Sequence, residues 1–544
     1  MNNVVLVGFM GSGKSTVGRL LAERTKRSFV DLDDVIEADA GQSVVEIFSN
    51  EGEAGFRERE SRCLRRELER NGSVVAVGGG ALMREENWSR IREGNCVVSL
   101  IAEPGELARR LNGSTDRPLL QAGAPSAIAS LLPVRLPRYL EADLVIKTDG
   151  IEPAEVAQQV HERLAGGGLQ RILIDIPGSP HEVTVGYGLT YLVPAALRRL
   201  NKFQNAPSLV GESRGGGYPV LIVSDALVAK QHAQALIDAL TADGLTAWLH
   251  LVPAGEAAKE LSMLAGIYEA LSAAGVDRQG ALIALGGGSV GDVAGFAAAT
   301  WMRGIRYLQL PTTLLGMVDS SIGGKTAINL PAGKNLAGVV HQPVAIFCDL
   351  DMLATLPDAE YRASLAEVIK AAMIADRAFV EWLMANVPAV LRREPAAVRE
   401  AIGRAIAIKA AVVAQDPYES GPRAVLNYGH TVGHALELAA GFGRIRHGEA
   451  IAWGMEVAGR LSVSSGSCAP GVIAVQHALL SETGLLASPP VIDRTALLEA
   501  MRHDKKARAG ELRWVLLREI GRAEHGQPVD PSLVEASLAQ VLPV

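Results

Sequence analysis

Cysteine is scarce in this chain, which has four cysteines in 544 residues, at positions 63, 96, 348 and 468. So few cysteines, placed so far apart, exclude a disulfide framework and a C-x-x-C metal knuckle. We therefore expect free thiols in a reducing compartment.

The chain also lacks an excess of basic residues, since its formal net charge is −7. Neither a nucleic acid nor an anionic membrane is therefore an expected partner. No run approaches the roughly 18 apolar residues of a membrane span. The amino terminus lacks the basic start and the long apolar stretch of a secretory signal. These absences predict a soluble, cytoplasmic protein.

Three consecutive glycines, Gly166, Gly167 and Gly168, form the plainest break in the sequence pattern. Such a triplet between periodic segments is typical of a flexible joint or a helix stop. Before it, apolar runs alternate with charged helical segments, which predicts a parallel sheet covered by helices. These runs are residues 4–7, 74–77, 97–101 and 144–146.

The same alternation continues after the triplet, with apolar runs at residues 220–223, 281–285, 307–310 and 344–347. From about residue 349 the chain becomes rich in alanine and leucine, with long helical patterns and few strand signals. We therefore predict three domains: an α/β domain at 1–165, a second α/β domain at 166–350 and a mostly α-helical domain at 351–544.

Residues 8–16, with the sequence GFMGSGKST, fit the pattern G-x-x-x-x-G-K-[ST] between a strand and an amphipathic helix. The glycines let backbone N–H groups face phosphate oxygens, the lysine reaches the β- and γ-phosphates, and the next hydroxyl can ligate magnesium. This P-loop predicts a site for ATP with Mg²⁺. Its predicted residues are Gly11, Ser12, Gly13, Lys14, Ser15 and Thr16.

Two aspartates, Asp31 and Asp33, follow a second predicted strand. Alternation along the strand would point both carboxylates the same way, one toward magnesium and the other toward an acceptor hydroxyl. A solvated strand end is the alternative, and the D-x-D pattern alone does not decide between them. Arginines recur in the same region, and a guanidinium holds a carboxylate with two hydrogen bonds that lysine cannot match.

The P-loop, the D-x-D pair, Gly52-Glu53-x-x-Phe56-Arg57, three glycines at 78–80 and RPLL at 117–120 occur in this order over about 165 residues. In this order they resemble shikimate kinase. The resemblance implies a P-loop NTPase-like parallel sheet with helices on both faces. Gluconate kinase, a rival small P-loop kinase, would not be expected to combine G-E-x-x-F-R with a carboxylate-binding Arg135.

The resemblance to shikimate kinase also implies residue roles. Asp33, Lys14 and Arg117 would be catalytic, with Arg117 on a lid, and Arg110 would lie by the adenine. Ser15 and Asp31 would hold the magnesium. The residues implied to hold shikimate are Asp33, Arg57, Gly79, Gly80 and Arg135.

In the second half, residues 286–291, GGGSVG, contain G-x-G-x-x-G directly after an apolar run. A Rossmann domain also places an acidic residue about 20 positions further on, and none lies between Asp292 and Asp319. Asp225 or Glu256 could hold the ribose instead. The spacing therefore leaves both a dinucleotide site and a structural glycine turn open.

Histidines cluster near residue 440. His430 and His434 are four residues apart, on one face if the segment is helical, and His447 follows. Glu367 lies in a separate helical segment. Two histidines and one glutamate with an open position suit a catalytic zinc ion. The spacing does not decide whether His434 is a ligand or an acid/base group.

Several lysines and arginines sit among glycines and apolar residues, where their charge is costly to desolvate unless an anion meets it. Together they predict a bound phosphate and carboxylate. These cations are Arg303, Lys325, Lys334, Lys370, Arg423, Lys505 and Lys506.

Taken in order, from about residue 172 to 525, these features resemble 3-dehydroquinate synthase. The resemblance implies a Rossmann-like NAD-binding domain and a divalent metal, Zn²⁺ or Co²⁺, held by Glu367, His430 and His447. It implies that His434 transfers or orients a proton, and it leaves room for a homodimer through the C-terminal half.

The same resemblance implies three further groups of site residues. The catalytic and substrate residues would be Asp319, Lys325, Asn335, Lys370, Glu419, Arg423 and Asn427, with Arg303, Lys334, Lys505 and Lys506 at the phosphate end. The NAD residues would be Asp225, Glu256, Lys259, Gly287, Gly288, Asp292, Thr312, Thr313, Lys325, Lys334 and Thr355.

Together the two resemblances imply a bifunctional enzyme of the shikimate pathway. One half would phosphorylate shikimate with ATP, and the other would be a lyase that converts 3-deoxy-D-arabino-heptulosonate 7-phosphate to 3-dehydroquinate and phosphate. Glycerol dehydrogenase is an alternative for the second half, but it would not need the lysines and arginines. A non-catalytic regulator would leave gaps in a catalytic set, and neither half has such a gap.

Overall fold

The computed structural model describes residues 2–112, 123–165, 168–202, 218–441, 444–502 and 512–542. Arg117, Lys505, Lys506 and the first two glycines of the triplet lie outside these ranges. The chain divides into two compact units. The first contains the described residues of 1–169, 186–218 and 234–247, and the second contains those of 170–185, 219–233 and 248–544.

Strands and helices alternate through the first 165 residues. In chain order they are β1 (Val4–Val7), α1 (Lys14–Thr25), β2 (Ser28–Asp31), α2 (Leu32–Ala40), α3 (Val44–Leu68), β3 (Ser73–Ala76), α4 (Glu85–Arg92), β4 (Cys96–Ile101), α5 (Pro104–Leu111), α6 (Ala124–Tyr139), β5 (Leu144–Lys147) and α7 (Pro153–Ala165).

The five strands form one parallel sheet in the order β2-β3-β1-β4-β5. Val4 and Leu6 of the central strand pack with apolar residues of α1 and α7, whereas Val5 and Val7 pack with those of α3 and α6. Successive side chains of a strand point to opposite faces. The continuous apolar run of β1 therefore reflects a sheet that is covered by helices on both sides.

A second set of elements lies between residues 170 and 349. In chain order they are β6 (Gln170–Ile174), β7 (His181–Gly186), α8 (Val193–Lys202), β8 (Pro219–Asp225), α9 (Ala226–Val228), α10 (Gln234–Ala242), β9 (Thr246–Val252), α11 (Leu261–Ala273), β10 (Ala281–Gly286), α12 (Gly288–Thr300), β11 (Arg306–Pro311), β12 (Lys325–Leu330), β13 (Gly333–Val340) and β14 (Ala345–Asp349).

Seven of these strands form a sheet in the order β6-β7-β14-β11-β10-β8-β9. Its central strands β14, β11, β10 and β8 run parallel, while β6 and β7 are antiparallel. Strands β12 and β13 form a separate antiparallel pair. The parallel core agrees with the α/β domain that the alternating pattern predicted and with the Rossmann-like domain that the resemblance implied.

The remainder of the chain is mostly helical. Its elements are α13 (Asp358–Ala375), α14 (Arg377–Leu391), α15 (Pro395–Gln415), α16 (His430–Ala440), α17 (His447–Ser464), α18 (Pro470–Glu482), α19 (Arg494–Arg502), β15 (Trp514–Glu519), β16 (Arg522–Gln527) and α20 (Pro531–Val541).

Glycines let helix α17 approach its neighbours closely. A β-carbon on Gly448 would collide with the carbonyl of Ala363 in α13, and one on Gly454 would collide with the carbonyl of Gly429, just before α16. Because these positions lack side chains, the first residues of α16 and α17 come to lie beside α13. These first residues are His430 and His447.

The predicted fold class is confirmed in both halves, with two local differences. The hairpins β12–β13 and β15–β16 were not predicted. The strands of the first are largely half-exposed, and in the second only β15 has an apolar run, at residues 514–517. Asp33 lies in helix α2 and not on a strand, since β2 ends at Asp31. The Asp31 carboxylate caps α2 by accepting from the N–H of Asp33 at 3.2 Å, which replaces the expected strand alternation.

The packing at Gly454 predicts a measurable loss of stability on substitution. We expect Gly454→Ala to destabilise the full chain by about 1–3 kcal/mol, because a well-packed helix contact tolerates no added methyl group. Urea unfolding followed by tryptophan fluorescence measures the change. Gly471→Ala in α18 is the matched control, since a β-carbon there has nothing within 4 Å. Equal unfolding midpoints for the two variants would contradict the packing argument.

Candidate active sites

The P-loop lies between β1 and α1, and its conformation depends on glycine. Gly8, Gly11 and Gly13 have φ values of 142°, 80° and 95°, which side chains with a β-carbon rarely adopt. The Lys14 ammonium donates to the carbonyl oxygens of Gly8 and Phe9, each at 3.0 Å. The loop therefore surrounds the N-terminus of α1, where backbone N–H groups favour phosphate.

The two predicted magnesium ligands lie side by side. Ser15 Oγ donates to Asp31 Oδ2 at 2.7 Å. Hydroxyl and carboxylate oxygens are the ligands that magnesium prefers, so the pair fits the ion that a P-loop requires.

A cavity of about 580 Å³ opens beside the loop. All six predicted P-loop residues line it together with Arg110, Thr148, residues 150–153 and Val156. Arg110 is fixed by hydrogen bonds to Thr148 Oγ1 at 2.9 Å and Thr148 O at 2.7 Å, and by an ion pair with Glu106 at 2.7 Å. The volume lies within the usual range for a small-molecule site.

A second, smaller pocket of about 80 Å³ contains every residue predicted to bind shikimate. Two arginines and one aspartate are grouped there around glycine backbone, which suits a ligand with one carboxylate and several hydroxyls. Its polar and glycine lining is Asp33, Arg57, Glu60, Gly78, Gly79, Gly80 and Arg135.

Two residues that support this pocket were not predicted as site residues. Buried Glu60 accepts from Arg57 at 2.7 Å, and burial raises the pKa of Glu60 against the opposing effect of Arg57. The hydroxyl of buried Tyr139 donates to the carbonyl of Gly79 at 2.6 Å. Burial raises the pKa of Tyr139, so its phenol stays a donor. Glu60 could have been found from its position three residues after Arg57, on the same helix face.

In the second half, predicted dinucleotide residues meet at one edge of the sheet. The parallel neighbours β8, β10 and β11 end at Asp225, Gly286 and Pro311. Gly287, Gly288, Thr312 and Thr313 follow these ends directly. Ligands of open α/β sheets bind outside the carboxyl ends of the strands.

Neighbouring side chains leave no room for a β-carbon on Gly288 and little room for one on Gly287 at this edge. A β-carbon on Gly288 would lie 2.8 Å from Ser320 Oγ, and one on Gly287 would lie 3.3 Å from a methyl group of Thr313. At the same edge, Thr355 Oγ1 lies 2.8 Å from the imidazole Nε2 of His232. Packing against Ser320 and Thr313 therefore favours glycine in this turn.

Four of the remaining predicted dinucleotide residues form ion pairs: Lys259 with Asp292, and Lys334 with Glu256. Buried Lys259 pairs with Asp292 at 2.5 Å and also contacts Asn335. Burial raises the pKa of Asp292, with Lys259 opposing that rise. Lys334 lies 3.5 Å from Glu256. Lys259 thus joins the predicted dinucleotide residues to Asn335, which was predicted for the substrate.

The three predicted metal ligands come together from three helices. The Nε2 atoms of His430 and His447 lie 3.7 Å and 3.8 Å from Glu367 Oε1. These atoms belong to a group whose members all lie within 4.8 Å of one another. His434 is exposed, with its ring centroid 5.1 Å from that of His430. A second such group comprises His434, Glu437 and His447.

The buried carboxylate supports the first group. Glu367 Oε2 pairs with the ammonium of buried Lys370. Within the described residues, Glu367 Oε1 has no hydrogen-bond partner although it is fully buried. An oxygen in this position costs free energy unless something meets it, and a divalent cation between it and two imidazoles would do so. The residues therefore fit a catalytic zinc-type site.

Charged residues surround this cluster. Asp319 lies in a π-helical turn, and its carboxylate forms an ion pair with the ammonium of Lys409. Burial acts to raise the pKa of Asp319, but Lys409 and Lys370 hold this pKa below its usual range. Lys325 contacts Glu419, whose other oxygen accepts from Asn427 at 2.9 Å.

The last of these charged groups, Arg423, lies on a loop that the Asp416 side chain stabilises. Asp416 accepts from the backbone N–H groups of Ser420, Gly421 and Arg423 at 2.8–3.1 Å. These bonds lower the pKa of Asp416 to about 2, and the bond from Ser420 has the largest effect. Buried Arg423 donates to the carbonyls of Pro417 at 2.8 Å and Gly323 at 3.4 Å. The loop is thereby fixed against the segment that carries Lys325.

Some predicted residues are not joined to these groups. Arg303 is exposed, with a φ of 67°, and in the described part of the chain no hydrogen bond or ion pair links it to the other predicted residues.

The sequence analysis did not identify Lys409 and Glu437 as site residues. Lys409 lies in an alanine-rich helix without a motif, whereas Glu437 follows His434 by three residues and could have been found from that spacing.

No helix in the described ranges is both long enough and apolar enough to cross a membrane.

Three family models match the chain. The shikimate kinase model matches residues 10–165, the model of the N-terminal region of 3-dehydroquinate synthase matches residues 249–363, and the model of its C-terminal region matches residues 364–507.

Individual proteins give the same result. The 3-dehydroquinate synthase of Syntrophotalea carbinolica is 42% identical over 355 residues, which is 65% of this chain and 94% of that protein. A crystal structure of 2-deoxy-scyllo-inosose synthase with carbaglucose-6-phosphate, NAD⁺ and Co²⁺ is 25% identical, with a TM-score of 0.59 over 69% of this chain and 100% of that one.

A 2-epi-5-epi-valiolone synthase from Streptomyces hygroscopicus subsp. jinggangensis, with NAD⁺ and Zn²⁺ bound, is 26% identical. Its TM-score is 0.58, over 66% of this chain and 96% of that one. The chain thus belongs to the 3-dehydroquinate synthase family and carries a shikimate kinase domain before the synthase region, so both parts have a role in the shikimate pathway.

Proposed function

We propose that this chain is a bifunctional enzyme. The first part, residues 1–165, transfers a phosphoryl group from ATP to shikimate. The second part, with an NAD-binding domain at 166–350 and a metal and substrate domain at 351–544, converts 3-deoxy-D-arabino-heptulosonate 7-phosphate to 3-dehydroquinate and phosphate. The observation that carries the proposal is that each family match coincides with a group of residues suited to its reaction.

In the kinase part, each residue group has a separate task. Arg57 and Arg135 bind the shikimate carboxylate, and Asp33 accepts the proton of the hydroxyl that attacks. Lys14 binds the β- and γ-phosphates. Ser15 and Asp31 hold magnesium, which would offset the charge of the phosphate oxygens. Arg117 keeps the catalytic lid role that the resemblance implies.

The kinase proposal is tested with Lys14→Ala in the full chain, with both activities measured. We expect shikimate phosphorylation to be abolished, because the variant lacks the ammonium group that would bind the β- and γ-phosphates. We expect 3-dehydroquinate formation to stay within twofold of the wild type. If the wild-type chain does not phosphorylate shikimate, the proposed kinase activity is refuted. Loss of both activities in a folded variant would show that the two parts are coupled.

A second kinase prediction concerns Tyr139. Tyr139→Phe leaves the carbonyl of Gly79 without its donor, and a hydrogen bond of this kind contributes about 1 kcal/mol. We expect the KM for shikimate to rise about fivefold while the KM for ATP is unchanged. Tyr268→Phe, which removes a hydroxyl in α11 of the synthase region, is the control. An unchanged shikimate KM in Tyr139→Phe would contradict a supporting role for this hydroxyl.

In the synthase part, the proposal needs both NAD and a divalent metal. NAD would take up and return a hydride, and the metal held by Glu367, His430 and His447 would polarise a substrate oxygen. The glycine turn at 287–288, Asp225 and the threonines at 312–313 support dinucleotide binding at the carboxyl edge. Further NAD contacts are proposed for Glu256, Lys259, Asp292, Lys325, Lys334 and Thr355.

The charged residues around the metal ligands bind and orient the substrate. Lys325, Lys370, Lys409 and Arg423 supply positive charge that a phosphorylated carboxylic acid requires. His434, exposed beside the cluster, is placed to move a proton. Glycerol dehydrogenase, the alternative, would have no use for this group of cations. Arg303, Lys505 and Lys506 keep the proposed role at the phosphate end.

The two histidines of α16 allow a sharp test. We expect His430→Ala to lose the metal, because it removes one of three protein ligands. We expect His434→Ala to keep the metal and to lose about 10²–10⁴-fold in rate, as for an acid/base group. Elemental analysis and turnover of 3-dehydroquinate formation are measured on the same samples. If His434→Ala is metal-free and His430→Ala is not, the ligand assignment is reversed.

A further inference from the structure

Glu437 is the acidic residue at the metal cluster to which the proposed reaction gives no task. It lies on α16, three residues after His434, and its side chain is 20% exposed. Its Oε2 lies 3.1 Å from Nδ1 of His447. The carboxylate therefore contacts one of the proposed metal ligands directly, on the side of the ring that faces away from Glu367.

The two nitrogens of His447 face different carboxylates. Nε2 points to Glu367 Oε1 at 3.8 Å, and Nδ1 points to Glu437. An imidazole that binds a metal is neutral, with a lone pair on the metal-facing nitrogen and a proton on the other. A carboxylate at Nδ1 accepts that proton in a hydrogen bond, which leaves the lone pair of Nε2 directed toward Glu367.

His430 meets the same requirement in another way. Its Nδ1 lies 3.1 Å from the carbonyl oxygen of Tyr428, and its side chain is only 10% exposed. The side chain of His447 is 26% exposed and belongs to the first residue of α17. Packing therefore restrains the His430 ring more than the His447 ring, so the orientation of His447 depends more on its hydrogen bond.

Glu437 could instead be a ligand itself, since it forms a second group with His434 and His447. Two observations favour Glu367, His430 and His447 as the metal ligands. Its carboxylate oxygen, Glu367 Oε1, is buried and without a partner among the described residues. In addition, Glu437 Oε2 lies within hydrogen-bond distance of His447 Nδ1, which is the nitrogen that a metal ion in the second group would have to bind.

We propose that Glu437 is a positioning residue for the metal site: it accepts a hydrogen bond from His447 Nδ1 and thereby holds Nε2 toward the metal. This inference rests on the proposed metal site of the synthase part. Outer partners of this kind typically account for a 10–100-fold difference in metal affinity.

The test measures metal affinity in the full chain. Zn²⁺ dissociation constants are determined by competition with a chelating indicator for the wild type, Glu437→Gln, Glu437→Ala and the control Glu449→Gln. Glu449 lies two residues from His447 and pairs with Arg446. We expect 10–100-fold weaker binding for Glu437→Ala, a smaller loss for Glu437→Gln, whose amide oxygen can still accept, and no change for Glu449→Gln.

Visible absorption of Co²⁺-loaded protein separates positioning from ligation. With saturating Co²⁺, we expect the Glu437 variants to give the intensity and band positions of the wild type, because the ligands are unchanged. Affinities within twofold of the wild type for both Glu437 variants would overturn the proposal. So would an altered Co²⁺ spectrum together with metal loss as complete as in His430→Ala, since Glu437 would then be a ligand.

Failure of the proposed metal site has a different signature. In that case neither the wild type nor any variant would bind Zn²⁺ more tightly than His430→Ala, and both the site and this inference would be refuted. Glu437→Gln is nearly the same size as the native residue, and urea unfolding followed by tryptophan fluorescence, compared with the wild type, reports whether the variant is folded.

Discussion

Parallel strands place the turns that follow them along a single edge, and both proposed sites depend on this constraint. In the first sheet β2 ends at Asp31, and its neighbours β3 and β1 are followed by the glycines at 78–80 and the P-loop. In the second sheet β8 ends at Asp225, and its neighbours β10 and β11 are followed by Gly287 and Thr312. Residues far apart in sequence become adjacent because buried parallel strands must be joined by crossover helices.

The metal cluster is built on a different principle, the close approach of helices around buried charge. Gly448 and Gly454 allow α17 to touch α13 and the start of α16. Glu367 and Lys370 are then buried together, and Asp319 and Lys409 form a second pair. Buried ion pairs contribute little to stability because desolvation offsets the attraction. Their concentration around one cluster is therefore better explained by binding of a charged ligand than by stability.

The sequence predicted those parts of the sites that depend on local pattern. The P-loop and the central strands each carry a pattern whose meaning is fixed by chain geometry. The ligand set of Glu367, His430 and His447 instead came from the resemblance to 3-dehydroquinate synthase, because the spacing of the histidines left the role of His434 open. Glu60, Lys409 and Glu437 were missed because their roles arise from contacts between elements, and a single glutamate or lysine on a helix face has no distinctive spacing. The hairpin β12–β13 was missed for a related reason, since its strands are half exposed and lack a continuous apolar run. Arg303 was predicted from its glycine-rich surroundings, but such surroundings do not fix where a long side chain ends.

The two sites draw on separate stretches of the chain. Within the described residues, the nucleotide cavity and the smaller pocket beside it are lined by residues 10–156, whereas the synthase residues lie between 225 and 447. The residues that line the two kinase pockets in the described ranges all lie before residue 157, so the chemistry proposed for them can be understood from the first sheet and its helices. The product of the proposed synthase reaction is also not the substrate of the kinase reaction, which removes direct transfer between the sites as a reason for their linkage. What the covalent link does guarantee is that the two active sites are made in equal number, which is a property of expression and not of catalysis.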